Sequence, residues 1–531
     1  MIRSSFAALP LLLAVHLACQ APVDPAGVTG TRMFCGGGKL PPEIQQRFVE
    51  LAGGEEACIV VVPTASTSAD DPKQREDLLH TWQQKFPKLK ISVLHAQDRA
   101  TADSEAFVGP IRHATGLWFG GGAQDRLAAA YLGTRTECEV MALLARGGVV
   151  GGTSAGAAIQ SRTMIAEGNP DPVMAQGLDL LPDGILDQHF LRRNRLPRLR
   201  AALSKAPGHF GLGIDEGTCA ELRGRTLRVF GASKALLVLP AVQGAEERIV
   251  ELADGASVDV VTWQRAARGR SQTPWPPKSM RDPRVANGTL VIVGGGGLPD
   301  AAIEAFAAAA GGAKAKVVIV PSANGNDVSG ELAFAQRLRK TGISDLRTFH
   351  LPHPSQVTEA SLAPLADATA IWFGGGRQWR LCDAYDGTPA IAAFAAVLAR
   401  GGVIGGSSAG ATIQGEFLVR GNPLGNTDMW CEGYDRGFGY LPGVAIDQHF
   451  LARKRIPDLQ NLIAKAPQMI GLGIDESTAL VVRGSVAEVV GASKVAVFDV
   501  RNAEPSLRAK PEPKWLQAGD RWDLVAGRRA E

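Results

Sequence analysis

The sequence lacks the features of several large classes of protein. Its formal net charge is only +3 over 531 residues, and no long basic run with interleaved aromatic residues occurs, so a nucleic-acid partner is not expected. Beyond the first residues no apolar run is long enough to cross a bilayer, so no integral membrane segment is predicted in the mature chain. The seven cysteines form no Cys-x-x-Cys pair and no Cys/His cluster with zinc spacing. No metal and no organic cofactor is therefore predicted.

The N-terminal residues 1–21 have the pattern of a signal peptide. Arg3 precedes an apolar stretch over residues 6–18, which small residues follow. We expect the protein to be exported to the periplasm or the extracellular space. Cys19 is a candidate site for lipid attachment, although His16 stands where bacterial lipoprotein signals usually carry an aliphatic residue. Soluble export and a lipid anchor therefore both stay open.

The chain contains two copies of one long sequence unit. Matching motifs recur in the same order, and each unit is far longer than a solenoid repeat, so each should have its own core. This predicts two domains that pack as an internal pseudo-dimer. The matching pairs are 31–41 with 289–299, 59–63 with 317–321, 117–124 with 371–378, 151–156 with 405–410, 187–191 with 447–451, 211–216 with 471–476 and 231–234 with 491–494.

Composition sets the expected domain boundaries. We predict a first domain over 30–262 and a second over 289–500. The segment 263–288 between them is rich in arginine and proline and is predicted to be an exposed, fairly stiff linker. The polar residues 501–531 are predicted to form a loosely held C-terminal tail.

Short apolar runs alternate with helix-like stretches in each unit. The runs 59–62, 116–119 and 149–150 are typical of buried strands, whereas 301–310 and 389–400 are typical of helices. Alternation of apolar strands with helices predicts an α/β fold, with a mostly parallel sheet covered by helices on both faces. Ligands of such sheets lie at the carboxyl ends of the strands, where the glycine-rich turns fall.

Two Gly-x-Ser-x-Gly motifs, 152–156 and 406–410, directly follow apolar strands. A strand that turns abruptly into a helix crowds any Cβ near the serine, which explains the glycines. The motif predicts nucleophiles at Ser154 and Ser408. A packing turn or a phosphate cradle is the alternative interpretation.

A nucleophilic serine needs a base and an acid that orients it. His189 and His449 lie in identical Asp-Gln-His-Phe settings, and Glu216 and Glu476 follow them at equal distances. Asp187 and Asp447 are rival acids that could instead line the substrate pocket.

The order serine, histidine, acid differs from that of an α/β-hydrolase, in which the acid precedes the histidine. Backbone N–H groups of the glycine-rich turns and of the residue after each serine are the candidate oxyanion donors. They belong to Gly121 and Ala155 in the first unit and to Gly375 and Ala409 in the second.

Together these motifs resemble the cyanophycinases, which belong to the peptidase E-like serine peptidases of family S51. The resemblance covers nearly all of each unit. It implies tandem flavodoxin-like domains related to class I glutamine amidotransferases, and a Ser-His-Glu triad at Ser154, His189 and Glu216 and again at Ser408, His449 and Glu476. It also implies substrate-binding residues at Gln124, Asp187, Gln188, Arg193, Arg195 and Arg198, and at Gln378, Asp447, Gln448, Arg453 and Arg455.

The substrate that the resemblance implies is cyanophycin, multi-L-arginyl-poly-L-aspartate, cut to β-Asp-Arg dipeptides. A row of arginines suits this polymer because guanidinium groups bind carboxylates in bidentate fashion. The second unit departs from the pattern, with Asp458 in place of Arg198 and a longer loop through Trp430 and Tyr434. Weaker carboxylate binding and a slower second site are therefore predicted.

Two other functions remain open at this stage. The first is a dipeptidase for aspartyl or isoaspartyl peptides on the same scaffold. The second is a catalytically idle protein that binds peptides or nucleotides.

Overall fold

A computed structural model describes residues 22–272, 274–325 and 329–531. The predicted signal peptide over residues 1–21, with Cys19, lies outside the described residues. No helix within the described ranges is long and apolar enough to span a bilayer.

The first unit alternates strands and helices in its first half and is mainly β in its second half. Its elements are β1 Val28–Cys35, α1 Pro42–Leu51, β2 Cys58–Val62, α2 Pro72–Lys85, β3 Lys90–Val93, α3 Arg99–Ala102, α4 Glu105–His113, β4 Gly116–Phe119, α5 Gln124–Tyr131, α6 Arg135–Ala145, β5 Val149–Thr153, α7 Ala155–Ala158, β6 Thr163–Glu167, β7 Val173–Gln176, β8 Gly184–Gln188, α8 Leu196–Lys205, β9 Phe210–Ile214, β10 Thr218–Gly224, β11 Thr226–Gly231, β12 Ala235–Leu239, β13 Arg248–Leu252, β14 Ser257–Asp259 and α9 Val260–Arg270.

The second unit repeats this order with fewer strands near its centre. Its elements are β15 Thr289–Val293, α10 Asp300–Ala310, β16 Lys316–Val320, α11 Ser329–Lys340, β17 Asp345–Thr348, α12 Ala363–Ala366, β18 Ala370–Phe373, α13 Gln378–Tyr385, α14 Pro389–Ala399, β19 Val403–Ser407, α15 Ala409–Thr412, β20 Gly415–Phe417, β21 Leu441–Gln448, α16 Ile456–Lys465, β22 Ile470–Ile474, β23 Thr478–Arg483, β24 Val486–Gly491, β25 Lys494–Asp499, α17 Pro505–Ala509, β26 Lys514–Gln517, β27 Arg521–Asp523 and β28 Arg528–Arg529. The predicted strands and helices are confirmed to within a few residues.

Each unit is built on one large mixed sheet and one small sheet, and the first unit adds the two-stranded sheet β6-β7. The large sheet of the first unit has the order β14-β11-β10-β1-β5-β4-β2-β3, in which the five strands from β1 to β3 are parallel. Within it β3-β2-β4-β5 follows the strand order 2-1-3-4 of a flavodoxin-like sheet. The second unit repeats this with β17-β16-β18-β19-β15. The predicted tandem α/β architecture is confirmed.

Both faces of the large sheet are covered, and its strand β2 is apolar at every position. Alternate residues of a strand point to opposite faces. In β2, Ile59 and Val61 pack in the cluster that contains Phe48 of α1. Val60 and Val62 pack in the cluster formed with α4 and α6. Because β1, β4 and β5 are parallel, their carboxyl ends lie side by side at one edge of the sheet.

Two segments differ from the composition-based expectation of exposure. Helix α9 continues to Arg270, and its Trp263 is buried, because the helix packs its apolar side on the core of the first unit. In the C-terminal segment β26 pairs with β25 and β27 pairs with β24, and Trp522 is buried. The segment is polar on average, but buried apolar side chains alternate with exposed residues along β26 and β27, and this pattern is sufficient for strand pairing.

The two units contact each other through different surfaces. Arg225 of the first unit donates hydrogen bonds to Asp383 and to Tyr434 of the second, and Arg265 lies over the Tyr434 ring. By motif alignment the residue equivalent to Asp383 is Ala129, which is exposed. A two-fold axis would require the reciprocal contact at Ala129, so the packing is head-to-tail.

Candidate active site

The two motif serines occupy strained turns between a strand and a helix. Ser154 follows β5 and precedes α7 with φ 52° and ψ −112°, and Ser408 has φ 55° and ψ −111°. A side chain on Gly152 could not fit, since its Cβ would lie 2.1 Å from the Gly156 carbonyl oxygen. Strain of this kind at a serine is typical of a nucleophile elbow.

Each serine lies at the start of a chain of three hydrogen-bonded side chains. Ser154 Oγ is 2.8 Å from His189 Nε2, and His189 Nδ1 is 2.6 Å from Glu216 Oε1. The second unit repeats this, with 3.0 Å between Ser408 Oγ and His449 Nε2 and 2.6 Å between His449 Nδ1 and an oxygen of Glu476. The geometry is that of a nucleophile, a base and an orienting acid.

The histidine rings pack against glycines that the sequence analysis did not assign to the site. His189 follows β8 with φ 50°, and its N–H donates to Gly36 O at 2.7 Å. A Cβ on Gly37 would lie 2.4 Å from His189 Cε1, and a Cβ on Gly295 would lie at the same distance from His449 Cε1. The repeated triple glycine was the available signal, because it recurs at the end of the first strand of both units.

The protonation of both imidazoles is biased toward the neutral form. Partial burial lowers the pKa of His189 below its usual value, Glu216 opposes this shift, and nearby Arg193 adds to it. The pKa of His449 is lowered by the same causes. A neutral imidazole can accept the proton of a serine hydroxyl.

Asp215 links two of the duplicated segments, 187–191 and 231–234, by hydrogen bonds at or next to them. One of its carboxylate oxygens accepts hydrogen bonds from the N–H groups of Leu191 and Arg192, at 3.1 and 2.9 Å. The other accepts from Ser233 Oγ at 2.8 Å. Asp475 makes the equivalent contacts in the second unit. This aspartate fixes the loop after the histidine, and it is not an exposed turn residue.

The candidate oxyanion donors lie beside the serines. Ala155 is the first residue of α7, so its N–H has no acceptor within the helix. A Cβ on Gly121 would lie 3.5 Å from Ser154 Cβ, which places this turn directly against the nucleophile. Gly375 stands in the same relation to Ser408, at 3.7 Å, and Ala409 begins α15.

A cleft of about 860 Å³ opens beside Ser154 and His189. Asp187 lies beneath it with a fully buried side chain, and accepts hydrogen bonds from Arg195 Nη1 and from Nε and Nη2 of Arg198. Burial raises the pKa of the Asp187 carboxyl, and the two arginines oppose that rise. The predicted residues that line the cleft are Gln124, Gln188, Arg193, Arg195 and Arg198.

These lining residues have unequal freedom to bind a ligand. Gln124 Nε2 donates to Ile165 O and Ala166 O, which leaves its side-chain oxygen for other partners. Arg198 is committed to Asp187 and Gly168 O. The buried Nε of Arg195 has no partner within the described residues, and Arg193 is exposed at the rim.

In the second unit a different arginine supplies the positive charge that the replacement of Arg198 by Asp458 was expected to remove. Asp447 accepts from Arg455 Nη1 at 3.0 Å, as Asp187 does from Arg195. Arg420 replaces Arg198: its Nε and Nη2 bind the two Asp447 oxygens at 2.9 Å each. Asp458 is paired with Arg420 Nη2 at 2.7 Å. Asp458 is therefore not an uncompensated charge, and sequence comparison missed Arg420 because its equivalent position in the first unit is not an arginine.

The other predicted residues of the second unit keep their places. Gln378 Nε2 donates to Val419 O at 2.8 Å, and Gln448 Oε1 accepts from Arg455. Arg453 is exposed at the rim, as Arg193 is. In the longer loop, Trp430 packs on Phe417 and Tyr434 is buried between the units.

The sequence profile of peptidase family S51 matches residues 34–230 and again 289–490. The chain belongs to peptidase family S51. It is a serine-type peptidase in tandem form. One similar protein is a cyanophycinase of Synechococcus elongatus, 34% identical over 272 residues, which are 48% of this chain and 81% of the relative. Another is a cyanophycinase of Geminocystis herdmanii, 37% identical over 186 residues, which are 34% of this chain and 67% of the relative. Among solved structures, a peptidase from an acI-B1 actinobacterium aligns with a TM-score of 0.37 and 21% identity, covering 44% of this chain and 98% of its own.

Proposed function

We propose that this S51 peptidase is an exported exopeptidase that hydrolyses cyanophycin to β-Asp-Arg dipeptides at two Ser-His-Glu sites. The observation that carries the proposal is the hydrogen-bonded chain from Ser154 through His189 to Glu216, beside a cleft lined by arginines. The cyanophycinase names of the relatives support the choice of substrate.

The geometry supports a covalent mechanism. Ser154 Oγ attacks the scissile carbonyl carbon while His189 Nε2 takes the hydroxyl proton, and Glu216 stabilises the imidazolium. The N–H groups of Gly121 and Ala155 would hold the oxyanion. His189 then returns the proton to the leaving amine, and water attacks the acyl-enzyme ester by the reverse proton path. The same steps apply to Ser408, His449 and Glu476.

A carboxylate is a suitable partner for the arginines of the cleft, and each unit of cyanophycin carries a free one on its arginine. Arg195 lines the cleft and Arg193 is exposed at its rim, so both guanidinium groups can donate to such a carboxylate. Residues 30–262 and 289–500 would be the two catalytic domains, packed head-to-tail within one chain, which the Arg225 contacts to Asp383 and Tyr434 support.

The test is incubation of the mature chain with insoluble cyanophycin, followed by mass analysis of the released products. Release of β-Asp-Arg by the wild type and none by Ser154→Ala/Ser408→Ala is expected. Cleavage of aspartyl dipeptides without release from the polymer would move the assignment to a dipeptidase. Fractionation of cells that express the full chain tests export, and intact mass of the mature protein tests lipid attachment at Cys19.

A further inference from the structure

The second site holds its buried aspartate with an arginine from a different part of the chain. In the first unit the bidentate partner of Asp187 is Arg198 of α8. In the second unit the bidentate partner of Asp447 is Arg420, from the loop after β20. Both aspartate side chains are fully buried, so each requires such a partner.

The chain segments that carry Glu167 and Arg420 are equivalent, although Glu167 ends β6 and Arg420 lies in the loop after β20. Gln124 binds Ala166 O in the first unit, and Gln378 binds Val419 O in the second. The residue after Ala166 is Glu167 and the residue after Val419 is Arg420, and a Gly-Asn-Pro sequence follows both. Arg420 therefore stands at the position of Glu167.

The helices show the opposite exchange. Asp458 of α16 stands at the position of Arg198 of α8. The first unit thus has an acid at the end of β6 and an arginine on the helix, whereas the second has an arginine on the loop after β20 and an acid on the helix. Asp458 binds Arg420 Nη2 at 2.7 Å, so the exchanged residues are also in contact.

The position of Arg420 is specialised for this contact. Its backbone lies in the left-handed region with φ 57°, which is unfavourable for a residue with a Cβ. Its side chain is only 3% exposed. Burial lowers the pKa of its guanidinium, but Asp447 and Asp458 more than offset this effect and raise it. Its Nη1 donates to Asn426 O and Thr427 O, which ties the longer loop to the site.

We infer that Arg420 is the positioning residue of the second site, and that the pair Arg420 and Asp458 is a reciprocal charge exchange for Glu167 and Arg198. Arg420 fixes Asp447, and Asp447 fixes Arg455, the counterpart of Arg195 that lines the cleft of the first unit. The second site is therefore complete, with its supporting charge delivered from the loop. This inference rests on the proposed function, because it assigns Arg420 to substrate positioning in that same site.

The test uses the full chain with Ser154→Ala, so that only the second site turns over cyanophycin. Arg420→Glu should raise KM about 10- to 100-fold, the range expected for loss of a charged hydrogen-bonded pair. Arg420→Glu/Asp458→Arg recreates the arrangement of the first unit and should return KM to within about fivefold of the parent. The reciprocal pair, Arg198→Asp and Glu167→Arg/Arg198→Asp in a Ser408→Ala background, should show the same loss and rescue.

A role limited to folding is separated by two further readouts, the melting temperature and the rate at which a fluorophosphonate probe labels Ser408. If Arg420 acts on substrate positioning, Arg420→Glu should be labelled within about threefold of the parent rate, because Ser408 and His449 stay paired. A fall in the labelling rate that parallels the rise in KM would overturn the inference. An unchanged KM, or no rescue of KM by the double variant, would also overturn it. If Arg420→Glu does not fold, recovery of folding in the double variant supports the exchange, and its absence refutes it. If the Ser154→Ala parent is labelled but inactive on cyanophycin, the proposed function fails at this site, and the melting temperatures of the single and double variants still decide the exchange.

Discussion

Replacing Gly37 by alanine should inactivate the first site by displacing its histidine. The new Cβ would lie 2.4 Å from His189 Cε1 and 2.6 Å from Nε2. Carbon atoms in contact need about 3.5 Å, so the ring must move by about 1 Å. Movement is possible because the ring is the far end of a side chain. Since Ser154 Oγ and His189 Nε2 are hydrogen-bonded at 2.8 Å, a shift of this size breaks the geometry of proton transfer. We expect kcat/KM to fall by about 10²-fold.

The backbone effect of the same substitution can be measured separately. Gly37 has φ 95°, where a residue with a Cβ is strained by about 1–2 kcal/mol. Gly53 has φ 115° and its added Cβ would meet nothing closer than 4.0 Å. Gly53→Ala is therefore a matched control that carries the strain without the contact.

The assay is kcat/KM on cyanophycin in a Ser408→Ala background, with melting temperatures measured in parallel. Gly37→Ala and Gly53→Ala should lose similar stability, but only Gly37→Ala should lose activity. Activity of Gly37→Ala within about threefold of its parent, or an equal loss in Gly53→Ala, would refute the proposed packing of the ring on Gly37.

Three further predictions follow from the same geometry. In a Ser408→Ala background Glu216→Gln should lower kcat by orders of magnitude, whereas Asp187→Asn should act mainly on KM, and steady-state kinetics separate the two; the opposite pattern would make Asp187 the orienting acid. Because burial lowers the pKa of His189 and the base must be neutral, kcat/KM should be constant near neutral pH and fall as the pH drops below the lowered pKa, with a midpoint under 6.5; a midpoint above 6.5 would contradict the lowering of this pKa by burial, and the absence of any fall would contradict the role of the imidazole as base. Since Arg420 supplies the charge that Asp458 removes, Ser154→Ala and Ser408→Ala should each keep activity within about fivefold of the other, and loss of nearly all activity in only one would show that the sites are unequal.

The duplication made the fold and the order of the site residues predictable from the sequence. Ser154 and His189 recur with their local motifs at the carboxyl ends of β5 and β8. These strands belong to the large and the small sheet, so the meeting of the two side chains also depends on how the sheets pack together. Gly37 was not assigned to the site although its triple glycine recurs in both units, because its role depends on the ring of a residue distant in the chain that folds over it. The pairing of β26 with β25 was also missed, because proline and charge dominate the average composition of that segment.

Arg420 marks the limit of position-by-position comparison between the two units. Such a comparison assumes that a function stays at the same position, and it therefore registered only that Asp458 replaces Arg198. What the fold requires is a guanidinium at one point in space, because a fully buried carboxylate without a partner is strongly destabilising. Two chain positions reach that point, one on the helix and one on the loop. The sequence held a usable signal, since the sign of charge is inverted at both positions together, and such a double inversion between equivalent positions predicts contact. Within a duplicated chain, each unit thus serves as the reference against which a compensated exchange in the other can be recognised.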